Sequence, residues 1–138
     1  MPRVMAFDAG GKRTGIAVTD PSQIIATALD TIDTDKLIAY LLNYLKSERV
    51  EAFVVGYPLN LDRSRTEGTD IADRVIAALH NAIPAIPVHT VDERFTSKIA
   101  SDTLIAAGYS KKQRQDKKRL DKVSAVLILQ TYLEQRAR

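Results

Sequence analysis

The sequence predicts an α/β fold: a mixed five-stranded sheet, three antiparallel N-terminal strands followed by β-α units, with helices on both faces. Two observations lead there. Three short strand-like runs, Val4–Phe7, Thr14–Thr19 and Ala26–Ile32, are joined by connections too short for crossovers, which implies an antiparallel meander. After them, helical and strand-like periodicities alternate, and the right-handed crossover rule then distributes helices over both faces.

Val4–Phe7 is a short apolar run that ends in Asp8. The glycine-rich stretch after it, with Lys12 and Arg13, reads as the turn into Thr14–Thr19. Leu37, Ile38, Leu41, Leu42 and Leu45 share one helical face, and Asp33 or Thr34 can cap that helix. Ala52–Val55 is apolar without alternation and ends at Gly56, as expected of a central parallel strand. Residues 60–69 read as a polar, arginine-rich loop. Ile71, Val75 and Leu79 mark a second helix, and Ile86–Val91 another strand with prolines near its start. Thr96 or Ser97 caps a helix to about Ala107, which Gly108 stops. A basic stretch over 110–122 leads into a last helix carrying Val123, Val126, Leu127 and Leu133.

The chain has 138 residues, which suggests one domain with its own core, spanning 1–138. Its hydrophobic and charged fractions are those of an ordinary globular protein. No apolar run approaches the roughly 20 residues of a membrane span. Asp8 interrupts the first apolar segment, so no signal-peptide pattern is seen, and a cytoplasmic location is expected. The absence of cysteine excludes disulfides and thiolate zinc sites. A net charge of +3 permits a polyanionic partner.

Active groups of such sheets gather beyond the carboxyl ends of the strands. The acids there are Asp8, then Asp92 and Glu93. Asp121 opens the last helix, and its neighbours one turn on are Ser124 and Ala125, a small face that lets the helix approach the sheet. An acid on such a face is costly to bury without a partner. Converging carboxylates suit magnesium or manganese, and two such ions can clamp a phosphodiester. The plainer readings are a turn-forming Asp8 and an exposed pair of Asp121 with Lys117 or Lys118. The glycine turn fits neither the Walker pattern nor the dinucleotide fingerprint. It is a simple hairpin, or a place where Gly10, Gly11, Lys12 and Arg13 meet phosphate.

Four segments occur in order: DAGGKRTGIAVTD (8–20), VVGYPLNLD (54–62), VDERFTS (91–97) and DKVSAVLILQTYL (121–133). Together they resemble the YqgF (RuvX) family, over essentially the whole chain. The resemblance implies a ribonuclease-H-like fold, kinship with RuvC Holliday-junction resolvases, and a nuclease acting on the 5′ end of pre-16S ribosomal RNA. By the same resemblance Asp8, Glu93 and Asp121 would be catalytic metal ligands for Mg2+ or Mn2+, with Asp92 as substitute or helper. Arg94 would contact phosphate or lock the acids. Two departures stand out. Asp62 is followed by Arg63, Ser64 and Arg65, where members often have a Met-Asp-Gly turn. The strand ending at Gly56 carries no glutamate, where RuvC-type resolvases usually have one.

Lys117, Lys118 and Lys122, with Arg63 and Arg65, form either a phosphate track toward Asp121 or a solvated charged face. Tyr57 and Tyr109 either stack on bases or pack. His80 and His89 read as structural; His89 and Asp92, three apart on a strand, fall on opposite faces. Ser64, Ser97 and Ser101 lack a paired base, which leaves a hydrolase triad without support. The expected partner is nucleic acid, single-stranded or structured RNA or branched DNA, with a pre-ribosomal particle and a homodimer as further associations and no membrane. Two other classes remain: an actin-like or sugar-kinase ATPase, which needs a second such domain, and a non-catalytic ribosome-assembly module, which would keep its function in Asp8→Asn.

Overall fold

The computed structural model of the chain describes residues 2–58, 65–92 and 117–137, and within its last helix the side chains of 123–136. The strands are β1 (Arg3–Ala9), β2 (Arg13–Thr19), β3 (Ala26–Asp33), β4 (Val50–Tyr57) and β5 (Val88–Asp92). The helices are α1 (Leu37–Tyr44), α2 (Glu67–Ala82) and α3 (Lys117–Ala137). The expected helix from Thr96 or Ser97 to Ala107 lies outside the described residues.

The sheet order is β3-β2-β1-β4-β5. β1 and β2 pair antiparallel with Asp8 opposite Gly15, and β3 continues the meander on β2. The chain then crosses through α1 to the other side of β1, where β4 and β5 add in parallel. Phe7 lies opposite Val55, Gly56 opposite Val91, and Tyr57 opposite Asp92. The carboxyl ends of β1, β4 and β5 therefore share one edge.

Burial explains why β1 and β4 are central. Val4–Phe7 and Phe53–Val55 are fully buried, because the sheet is covered on both faces. Met5, Phe7, Phe53 and Val55 face α1 and α2, and the rings of Phe7 and Phe53 meet at 5.5 Å with an interplanar angle of 57°. Val4, Ala6, Val54 and Val91 face α3, against Ala125, Ile128 and Leu129. The small residues Ala6, Ala17 and Ala125 let α3 lie close to the sheet.

Four local expectations change. Thr34 caps no helix: it begins a 3-10 turn, and its hydroxyl is committed to the glycine turn, so α1 starts after Lys36 without a side-chain cap. Leu42, expected on the buried face of α1, is 48% exposed. Helix α2 begins at Glu67, inside the stretch expected as loop. Thr66 and Thr69 form a reciprocal capping box, and the buried Thr69 hydroxyl also donates to the Pro58 carbonyl. Strand β5 starts at Val88 rather than Ile86, because the Ile86 amide closes a turn onto the Ile83 carbonyl and only from Pro87 onward does the chain meet β4.

Candidate metal and nucleic-acid site

Asp8 occupies the penultimate position of β1, at the edge shared by the carboxyl ends of β4 and β5. Alternation along β1 continues Val4 and Ala6 to Asp8, which puts this half-buried carboxylate on the face covered by α3. Helix α3 runs back across that face. Its Arg136 donates to Gln23 Oε1 at 2.7 Å and lies 4.0 Å from Glu51, both at the opposite edge of the sheet. Asp121 precedes Arg136 by about 22 Å of helix, so the N-terminal turns of α3 lie toward the Asp8 edge. Asp121 itself sits one turn ahead of the buried Ser124 and Ala125.

Asp92 ends β5 opposite Tyr57, on the face of α1 and α2. Asp8 and Asp92 thus stand at the same edge but on opposite faces of the sheet. His89 pairs with Val54 and lies on the α3 face, opposite in sense to Asp92 as the strand spacing predicts. Glu93 and Arg94 follow β5 outside the described residues, as does Arg63. Among the described residues no three His, Cys, Asp or Glu side chains form a group that holds a metal ion. The donor chemistry nevertheless fits a hard cation: the edge offers carboxylate oxygens, with no thiolate anywhere in the chain.

The turn after Asp8 is built tightly. A Cβ on Gly10 would meet the Arg13 carbonyl oxygen at 2.4 Å, so only glycine fits without a backbone shift. The Gly10 carbonyl accepts from the Thr34 hydroxyl at 2.5 Å, and the Thr34 amide donates to the Lys12 carbonyl at 2.9 Å. The turn is therefore a hairpin latched to the start of α1, with Gly11 and Lys12 exposed at its tip.

Arg65, expected on a phosphate track or a solvated charged face, sits between two acids at the start of α2. Its guanidinium donates to Asp70 at 2.7 Å, Asp73 at 2.5 Å and the Tyr57 hydroxyl at 3.3 Å. These bonds raise the guanidinium pKa further and, through the Arg65 bond first, hold Asp73 below the usual carboxylate range. Tyr57 packs against the core beside α1 and α2. Lys117, Lys118 and Lys122 lie along the first turns of α3, which places the residues, though not their side chains, near the Asp8 edge.

The sequence reading missed one cluster on the α3 face. His89 stacks on Tyr132, with centroids 5.5 Å apart and 23° between planes, and Arg136 lies 5.5 Å over the Tyr132 ring. The signal available was the i, i+4 spacing of Tyr132 and Arg136.

A sequence profile of the RuvX family, described as Holliday junction resolvase, matches residues 2–135. The chain belongs to the RuvX family. A relative from Flavobacterium psychrophilum is 45% identical over 96% of this chain and 97% of its own, and carries the name "Putative pre-16S rRNA nuclease". One from Bacteroides fragilis, 44% identical over 97% of each chain, bears the same name. Among solved structures, T. thermophilus RuvC in complex with a Holliday junction substrate superposes with a TM-score of 0.57 at 17% identity, over 99% of this chain and 96% of that one. The fowlpox virus Holliday junction resolvase does so with 0.54 at 12% identity, over 96% and 99%. The RuvX sheet and its helices are thus the RuvC-type, ribonuclease-H-like fold. Among the described residues no helix is long and apolar enough to cross a membrane.

Proposed function

We propose that this RuvX chain is a metal-dependent nuclease that hydrolyses phosphodiester bonds at the 5′ end of pre-16S rRNA. The carrying observation is the position of Asp8. It stands at the carboxyl edge of β1, on the face covered by α3, with the Asp121 end of α3 directed toward that edge and the chain leaving β5 straight into Glu93. The names of the relatives support the substrate.

In this reading Asp8, Glu93 and Asp121 hold the metal. Asp92, on the other face, is left to brace the end of β5. When bound, divalent cations would supply an activated water and charge stabilisation for the leaving oxygen. The protein's own groups bind and orient the strand. Exposed Lys12 and the Gly10 and Gly11 backbone lie beside Asp8, while Arg13, Lys117, Lys118 and Lys122 add positive charge along the approach. Arg63 and Arg94 belong to the same proposed phosphate set. Arg65 instead fastens the start of α2, where two close carboxylates neutralise its charge.

End-labelled pre-16S leader RNA and a four-way DNA junction, each incubated with manganese and purified protein, test this directly. Cleavage of the RNA alone is expected. Symmetric cleavage of the junction alone would replace rRNA processing by junction resolution, the activity in the description of the family profile.

A further inference from the structure

The stacked pair on the α3 face has no part in the metal site and sits in a cleft of its own. The cleft is about 580 Å³ and is lined by Val88, His89, Thr90, Tyr132, Gln135 and Arg136. His89 and Thr90 are exposed, and Tyr132 is half-buried. Tyr132 packs on the core beneath α3 and backs the His89 ring. Arg136 is held over it by the Gln23 amide oxygen and Glu51.

We infer that this cleft is a nucleobase-binding subsite for single-stranded nucleic acid, in which the exposed His89 ring, backed by Tyr132, supplies the stacking surface and Arg136 the phosphate contact. The inference rests on the nuclease reading and extends it to a second contact with the substrate strand. Three features carry it. The exposed face of the His89 ring, with Tyr132 stacked behind it, offers stacking that is tolerant of base identity. The Gln135 amide gives the edge of a base both a donor and an acceptor. A guanidinium has five donors, so the bond to Gln23 and the looser ion pair with Glu51 leave donors for phosphate.

Placement supports the same conclusion. His89 lies opposite Val54, which lies opposite Ala6, and Asp8 is two residues beyond Ala6 on the same face. Ordinary strand spacings then set His89 and Asp8 about 12 Å apart. A single strand a few nucleotides long spans that distance. A duplex gains nothing from the subsite, because its bases are already stacked.

The test is binding without turnover. A fluorescein-labelled single-stranded RNA dodecamer is titrated with protein in EDTA and followed by fluorescence polarisation. His89→Ala and Tyr132→Leu are each expected to weaken binding about tenfold, the loss of one stacked base. His89→Phe is expected to restore it, and the corresponding duplex to bind all variants alike. Wild-type affinity in both His89→Ala and Tyr132→Leu would overturn the subsite while leaving the nuclease reading intact. Failure of the wild type itself to bind the dodecamer would also overturn the subsite. His89 is exposed on an edge strand, so its variant is read even where Tyr132→Leu is poorly folded.

Discussion

The Thr34 hydroxyl donates to the Gly10 carbonyl at 2.5 Å and lies 2.9 Å from the buried Thr14 hydroxyl. Thr14 therefore donates to Thr34, and Thr34 to Gly10. This relay ties the hairpin that follows Asp8 to the start of α1, two elements more than twenty residues apart. Thr34→Val removes both bonds and leaves the Thr14 hydroxyl without this acceptor. A loss of about 1–2 kcal/mol is expected, read as a lower midpoint in urea, with Thr34→Ser restoring most of it.

Gly10→Ala tests the same turn sterically. The added methyl would strike the Arg13 carbonyl, a backbone atom that moves only if the β1–β2 register moves. The expected cost is about 2 kcal/mol or more. Gly11→Ala is the control: among the described residues an added Cβ would meet only the Ile71 side chain, at an ordinary 3.6 Å, so little steric cost is expected. Equal melting temperatures for the two variants would contradict this picture of the turn.

Arg65 and Asp73 give a pH signature. Asp73 is held below its ordinary carboxylate value by Arg65, so its folded-state pKa is depressed relative to the unfolded chain. The stabilisation is therefore present above the unfolded value of about 3.9 and is lost as pH falls through the lower folded value. The pair is solvent-exposed, so the effect at neutral pH is small and screened by salt. The melting-temperature difference between wild type and Asp73→Ala should be present at pH 7 in low salt and shrink as pH falls below the unfolded value. A difference unchanged by acid would mean that Asp73 acts through packing.

Much of the fold was legible because it is written in short-range pattern. The meander followed from connections too short for crossovers, and the central position of β4 from an unbroken apolar run. The face assignments of His89 and Asp92 followed from period-two alternation. What was not legible depends on distant partners. Thr34 has the composition of a cap, but Gly10 and Thr14 claim its hydroxyl. Thr66 and Thr69 start α2 with a threonine in place of the usual glutamate or glutamine at the third position. Leu42 fits a helical stripe yet lies beyond the strip that the sheet covers.

The site divides along the same line. Asp8 was legible as an acid ending a buried strand, and its hairpin as a glycine turn. That Asp92 leaves the face of Asp8 follows only from the registers of β1, β4 and β5. The pairing of Arg65 was not legible because its two carboxylates lie on a helix whose start the sequence concealed. The His89–Tyr132 stack joins a strand to a helix more than forty residues away, and no local pattern announces such a contact.

The account stands on Asp8 as a metal ligand shared with Glu93 and Asp121. Calorimetric titration of manganese into wild type and Asp8→Asn tests this most directly, with circular dichroism showing that both are folded. The account predicts binding by the wild type and its loss in the variant. Equal binding by the two proteins would contradict it.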